Sequence, residues 1–349
     1  MKTRLHIFNP SHDEALAADS PYYYPASAAR RLESELAVLP ALMAEPGDSV
    51  LLCDRAAEPE RAEWNDGVRF VRPKDLTSAF WEYVTEVLPW GWDKLLCHRL
   101  QKTGCPDRLL PDAERLAAVR RLSSRESAVA LLPRLRERLD GTVGESVLCR
   151  SAEEVRGAVA RWGAVMVKSL WSCSGRGVYR ADGQSGAAVF NRTERLLRAQ
   201  GAVECEPFYE VVLNFAMEFS AQSGGGVRYD GLSLFRASEA GAYGGNVVAP
   251  QEWLAQAIAD AGGPDAQTLS HIARVCAGEL GTLLGGAYAG PLGVDMMLVR
   301  TAGDTLVLHP CVELNLRRTM GHAALAMAGK VANMQSLSGA LGKMWYICP

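Results

Sequence analysis

Metal-ligand spacing is missing: no CxxC pair occurs among the nine cysteines, and their odd number argues against a closed disulfide scaffold. Free thiols in a reducing compartment are expected, which makes the cytoplasm the default location. No run of about 18 apolar residues suggests a membrane span. The opening, MKTRLHIFNPSHDEALA, reaches Asn9, His12, Asp13 and Glu14 too early to form the apolar segment of a signal peptide. An excess of positive charge is also missing, since 37 basic against 40 acidic residues give a formal charge of -3. That balance supplies no broad field for a nucleic-acid backbone or an anionic membrane, although a local positive pocket is compatible with it. No ordered Ser/His/Asp or Cys/His set supplies a protein nucleophile. Repeats and low-complexity tracts are absent.

What is present suffices for a sizeable core: 349 residues, 48% of them hydrophobic, suggest two or three domains. RLHIFNP and SVLLCD read as strands, with the helical pattern SAARRLESELAVLPALM between them and VRFVRP as a third strand. That order opens an α/β unit with a parallel sheet. PWGWDK, with its Pro and Gly, ends or reconnects this unit. From Pro111 to about Leu139 the chain is charged and helical, bent or divided at Pro133. A short strand in GESVLC, a helix capped by Ser151 with Glu154 three positions on, and an apolar strand ending at Lys168 follow. SCSGRGVYR is a glycine-rich turn leading into a strand, and VECEPFYEVVLNFAMEFSAQ and GVRYDGLSLFRA are two more strand regions. TLSHIARVCAGELGTLLGGA is a long helix with an apolar face, and HAALAMAGKVANMQSL is helix-like. Near the N-terminus, Ser11 is expected to cap a helix with Glu14 completing the Ser-x-x-Glu arrangement. The alternative turns Asn9, His12, Asp13 and Glu14 toward a cleft. Tyr22 to Tyr24 and the AYGGN segment are open between ligand contact and packing.

Chemistry concentrates in HPCVELNLRRTMG. On a strand, Glu313, Asn315 and Arg317 share one face and Val312, Leu314 and Leu316 the other. If GVDMMLVR and TLVLHPCVELN form a hairpin turning near Ala302 to Asp304, Asp295 falls opposite Glu313, though a one-residue slip would change its face. Asp295, Glu313 and Asn315 then offer hard oxygen ligands suited to Mg²⁺. The plain alternative is a surface hairpin whose polar face meets water. Lys168 ends the apolar VMVK strand immediately before SLWSCSGRGV, where Ser172, Ser174, Gly175 and Gly177 form a turn whose backbone N–H groups can approach phosphate. SGRG matches neither GxxxxGK(S/T) nor GxGxxG. VECEPFYE carries Glu204, Glu206 and Glu210 on one side if its alternation is unbroken, so any of them can meet a nucleotide edge; solvated surface acids are the alternative. His309 is read as structural.

The ordered set VMVKSLWSCSGRGV, VECEPFYE, GPLGVDMMLV and CVELNLRRTMG resembles the ATP-grasp superfamily, especially its carboxylate–amine or carboxylate–thiol ligases. The resemblance covers roughly residues 110 to 330. It implies an α/β and α+β protein with the ATP-grasp fold behind an N-terminal parallel-sheet α/β (pre-ATP-grasp) domain. The implied units are 1–108, a nucleotide-binding subdomain 109–206, and a C-terminal subdomain 207–349 carrying the metal site. The cofactors implied are ATP and Mg²⁺. Lys168 would contact phosphates under a closing loop from Ser172 to Gly177, with Ser174, Gly175 and Gly177 cofactor-binding. Asp295, Glu313 and Asn315 would bind Mg²⁺, and Glu206, before Glu204 or Glu210, would meet the nucleotide edge. A basic residue is also expected from the preceding helical region, where Arg121 and Arg125 stand in place of a clear lysine; arginine grips phosphate with a different geometry. Arg317 would clamp phosphate or substrate carboxylate, with Arg318 disfavoured by parity. The implied activity is an ATP-dependent ligase joining a small-molecule or peptide carboxylate to an amine through an acyl phosphate. Its partners would be small molecules, with no nucleic acid or membrane, and homo-oligomerisation is left open. A regulatory or scaffold protein that binds ATP without turnover, and a kinase of the same fold, are the rival readings.

Overall fold

The computed structural model describes residues 2–60, 63–172, 177–237, 243–330 and 345–346. The first strand–helix units build a wholly parallel sheet. Strand β1 (Thr3–Ile7) leads through α1 (His12–Ala18) and α2 (Ser27–Glu35) to β2 (Ser49–Leu51) and β3 (Arg69–Val71). Helix α3 (Ser78–Tyr83), capped by Thr77, turns directly into β4 (Val84–Pro89), and α4 (Lys94–Gln101) is capped by Asp93. The order β3-β2-β1-β4 places β1 centrally, and its odd-numbered Leu5 and Ile7 are buried with Val87 and Trp81. The edge strand β4 was not anticipated from the sequence. The Ser11 cap is a correction: Ser11 precedes α1 but makes no capping hydrogen bond, and Glu14 instead accepts from the Tyr23 hydroxyl at 3.0 Å. The competing partner is distant in sequence: Asn9 and His12 both bond Asp93, drawing this turn onto the start of α4.

Helices α5 (Ala113–Leu122) and α6 (Arg125–Arg138) follow. The charged helical stretch divides between them, where the Ser124 hydroxyl accepts from the Glu126 N–H, and Pro133 lies inside a single α6. The next sheet contains β5 (Val147–Cys149), β6 (Ala164–Ser169), β7 (Val178–Asp182) and β8 (Val203–Pro207), antiparallel in the order β5-β8-β6-β7. Helices α7 (Ala152–Trp162) and α8 (Ala187–Gln200) cover it, burying Val155, Val165, Val167 and Val203. Ser151 caps α7 as expected, accepting from the Glu154 N–H at 3.1 Å.

The largest sheet uses β9 (Glu210–Ala221), β10 (Val227–Ala237), β11 (Tyr243–Val248), β12 (Gly290–Arg300), β13 (Leu306–Asn315) and β14 (Trp345–Tyr346), in the order β13-β12-β9-β10-β11-β14. Helices α9 (Gln251–Asp260) and α10 (Ala266–Leu284) lie between β11 and β12 in the chain, and α11 (Met320–Lys330) follows β13. Alternation gives this sheet two distinct faces. Phe215, Met217, Phe219, Leu292, Val294 and Leu314 pack into one core with Leu131 of α6 and Ile272, Cys276 and Leu280 of α10. Each such side chain, fully removed from water, contributes about 1.5–3 kcal/mol before entropy is counted. Glu218, Gly293, Asp295, Glu313 and Asn315 occupy the intervening positions. Among the described residues no helix is long and apolar enough to cross a membrane, and the described cysteines are free.

Candidate active site

The antiparallel register sets Lys168 of β6 opposite Glu204 of β8, and Met166 opposite Glu206, so Lys168 and both acids share a face. The Lys168 ammonium lies 2.7 Å from Glu206, 4.0 Å from Glu204 and 3.4 Å from the Val312 carbonyl of β13. Burial opposes its charge, but Glu204 and Glu206 outweigh burial and hold its pKa above the ordinary lysine value. Arg125, the first residue of α6, reaches the same place. Its guanidinium donates to the Ser169 carbonyl at 3.0 Å and to Glu313 at 2.8 Å, and stands 3.6 Å from Glu204. It too is buried, and Glu313 and Glu204 overcome the burial that would lower its pKa. Ser146 completes the cluster by donating to Glu204 at 2.7 Å. Two buried cations thus sit among three carboxylates, with one oxygen each of Glu204 and Glu206 lacking a hydrogen-bond partner among the described residues.

On the neighbouring sheet, β12 and β13 pair Asp295 with Glu313 and Gly293 with Asn315. The Asn315 amide donates to Asp295 at 3.3 Å. Burial, and then the charges of Glu313 and Glu218, push the Asp295 pKa far above the usual carboxylate range. A divalent cation between the carboxylates would remove that repulsion, and two carboxylates with an amide oxygen are a hard donor set of the kind Mg²⁺ takes. Among the described residues there is no group of three or more His, Cys, Asp or Glu side chains arranged to hold a metal, so Asn315 and phosphate oxygens would have to complete the coordination. Arg317, next on the same face, pairs with Asp13 of α1 at 2.9 Å and ties the parallel-sheet unit to the carboxylate face.

Other sequence candidates fare differently. Glu210 is not brought to the cluster: β8 ends at Pro207, β9 begins at Glu210 in another sheet, and Glu210 is exposed and paired with Arg300 at 3.1 Å. The presumed unbroken alternation fails because the chain changes sheets between those residues. Arg121 is exposed, whereas Arg125 four residues later is buried in the cluster. Ser174 and Gly175 lie outside the described residues; Gly177 has φ +76° and packs against Ser169. His309 is buried edge-on to Tyr209, with its pKa lowered to about 3 chiefly by burial. Tyr22 and Tyr24 are exposed, and in AYGGN the Tyr243 hydroxyl donates to Asn246. Ser146 was not among the sequence candidates, and Asp13 was one only as a residue that could face a cleft; the fold brings them to Glu204 and Arg317.

No protein-family model matches the chain, and no curated protein matches it. Solved structures do. A biotin carboxylase from Campylobacter jejuni, in a beta-gamma-ATP complex, is 13% identical over 93% of this chain and 67% of its own, with a TM-score of 0.56. The biotin carboxylase domain of Hydrogenobacter thermophilus 2-oxoglutarate carboxylase, in complex with MgADP, ADP and bicarbonate, is 11% identical over 96% of this chain and 71% of its own, with a TM-score of 0.55. At such identities the likeness is one of fold. The parallel sheet of β1 to β4, followed by the two mixed α+β layers, gives this chain the ATP-grasp fold.

Proposed function

We propose that this chain is an ATP-dependent ligase that activates a small-molecule or peptide carboxylate and joins it to an amine, releasing ADP and phosphate. The observation that carries this reading is the 2.8 Å contact between Arg125 and Glu313. It joins the Lys168–Arg125 cation pair beside β6 to the Asp295–Glu313 carboxylate pair on β12 and β13. Phosphate oxygens and a divalent cation have opposite needs, and this junction offers both within one cluster.

In this reading Lys168 and Arg125 hold the nucleotide phosphates, the loop through Ser174, Gly175 and Gly177 covers them, and Glu206 or Glu204 accepts from the nucleoside. Those acids suit the task, because each keeps a buried oxygen without a hydrogen-bond partner among the described residues. Asp295, Glu313 and Asn315 hold Mg²⁺, which when bound would screen phosphate from carboxylate and offset charge at the transferred phosphoryl group. Arg317, oriented by Asp13, binds the substrate carboxylate or the transferred group. A substrate carboxylate oxygen attacks the γ-phosphorus; the new O–P bond forms as the bond to ADP breaks. The amine then attacks the acyl carbon, phosphate leaves with its electron pair, and the amine loses a proton. Lys168 and Arg125 offset the charge that moves onto the leaving oxygens. No protein nucleophile is needed. We further propose boundaries after residues 108 and 206 for the three units; the three sheets support the number of units, with the second boundary one residue before the end of β8.

The test is a screen of acid and amine pairs for ADP release. The expected result is release that requires both partners and yields an amide. MgATP binding with no coupled release would favour a regulatory protein, and a stable phosphorylated product without amide would favour a kinase.

A further inference from the structure

We infer that the chain has a second anion site, separate from the proposed phosphate cluster, in which Arg318 binds a small oxyanion of the carboxylate or phosphate type. A cavity of about 490 Å³ lies between Met43 of the N-terminal unit, β9, β10 and β12 of the large sheet, and α11. Arg318 forms part of its wall. Beyond the end of β13 the chain bends at Arg317, which turns to Asp13, while Arg318 lines this cavity.

The guanidinium of Arg318 has an unusual environment. Arg4, Arg125, Arg134, Arg138 and Arg317 each have a carboxylate partner. No described carboxylate forms an ion pair with Arg318, whose side-chain partner is the Met43 sulfur at 3.2 Å, a weak acceptor. A largely buried cation with no carboxylate in direct contact is unfavourable; burial draws its pKa below the ordinary arginine value, with Arg4 adding to that and Tyr288, Glu86 and Asp230 opposing it from farther off. Its position adds to the deficit. Arg318 stands two residues before α11, where the positive end of the helix dipole disfavours another cation. At the same cavity Arg228 is paired with Asp230 at 2.9 Å, and His322 is kept neutral, its pKa lowered to about 4 by burial. The wall therefore carries two arginines against one aspartate. One small oxyanion would balance it and match the planar donor fork of Arg318.

Calorimetric titration with inorganic phosphate and, separately, with succinate tests this. Saturable binding of at least one is expected, and the preferred probe identifies whether a phosphate or a carboxylate is the natural group. Arg318→Met should weaken that binding about tenfold or more. Met43→Glu, which supplies an internal carboxylate to the guanidinium, should do the same without lowering the melting temperature. MgADP affinity should stay within about twofold in both variants, because neither position belongs to the proposed nucleotide cluster. The inference is overturned if neither probe binds the wild-type chain saturably, or if Met43→Glu and a folded Arg318→Met bind as well as wild type. Loss of MgADP binding in the wild-type chain would count instead against the ligase reading, so the two failures are distinguishable.

Discussion

Asp295 and Glu313 face each other across one rung of an antiparallel ladder, with Asn315 two residues on. Two carboxylates so placed resist simultaneous ionisation, and Asp295 responds by holding its proton above the usual range. The unfolded chain releases that proton near pH 4, while the folded chain keeps it to higher pH, so the metal-free protein should lose stability as pH rises across that interval. Saturating Mg²⁺ should remove the loss, which melting curves between about pH 4 and 8 would detect. Binding of Mg²⁺ should also expel a proton; calorimetry in buffers of different ionisation enthalpy would show it, and an enthalpy independent of buffer would count against the site. Asp295→Asn keeps the shape and deletes the repulsion. It should raise the melting temperature without metal while lowering coupled ADP release on the order of 10²–10³-fold. A lowered melting temperature would make Asp295 an ordinary structural residue.

At the scale of elements, the turn between β6 and β7 depends on Gly177, whose φ of +76° disfavours a side chain and whose added Cβ would stand 2.2 Å from the Ser169 hydroxyl. Gly177→Ala should therefore cost about 1–2 kcal/mol in a urea melt and raise the KM for ATP. The β12–β13 hairpin was legible in the sequence because the TAGD turn and the period-two pattern fix which residues share a face, whereas the register shift between Asp295 and Met297 that sets Asp295 opposite Glu313 was not. The Ser151 cap was legible for the same reason: its partners are local in sequence. Interactions set by distant segments were not. Ser11 loses its cap because Asn9 and His12 find Asp93, some eighty residues away. Glu210 separates from Glu204 and Glu206 because the chain passes from one sheet to another after Pro207, a change that alternation within a single strand cannot reveal. Arg121 lies in the last turn of α5 and Arg125 begins α6, so the break between the two helices, capped by Ser124, decides which arginine reaches Glu313.

Over the whole molecule, Phe8, Leu39 and Trp90 of the parallel-sheet unit share an apolar cluster with Val248, Ala323 and Met327, and charged contacts add to it. Arg317 with Asp13 links the parallel-sheet unit to the large sheet, and Arg125 with Glu313 links α6 and β6 to the same sheet. Arg125→Gln should consequently act twice. It leaves Glu204 and Glu313 short of a buried countercharge, at a cost of about 3–5 kcal/mol in urea unfolding, and it weakens nucleotide binding. A variant that lost only stability would reduce Arg125 to a clasp between layers. The most direct measurement is a crystal structure with Mg²⁺ and a non-hydrolysable ATP analogue. The expected result is the metal between Asp295, Glu313 and Asn315, with the phosphates on Lys168 and Arg125. A nucleotide bound elsewhere, with the Lys168–Glu206 and Arg125–Glu313 pairs intact and no metal at Asp295, would contradict it.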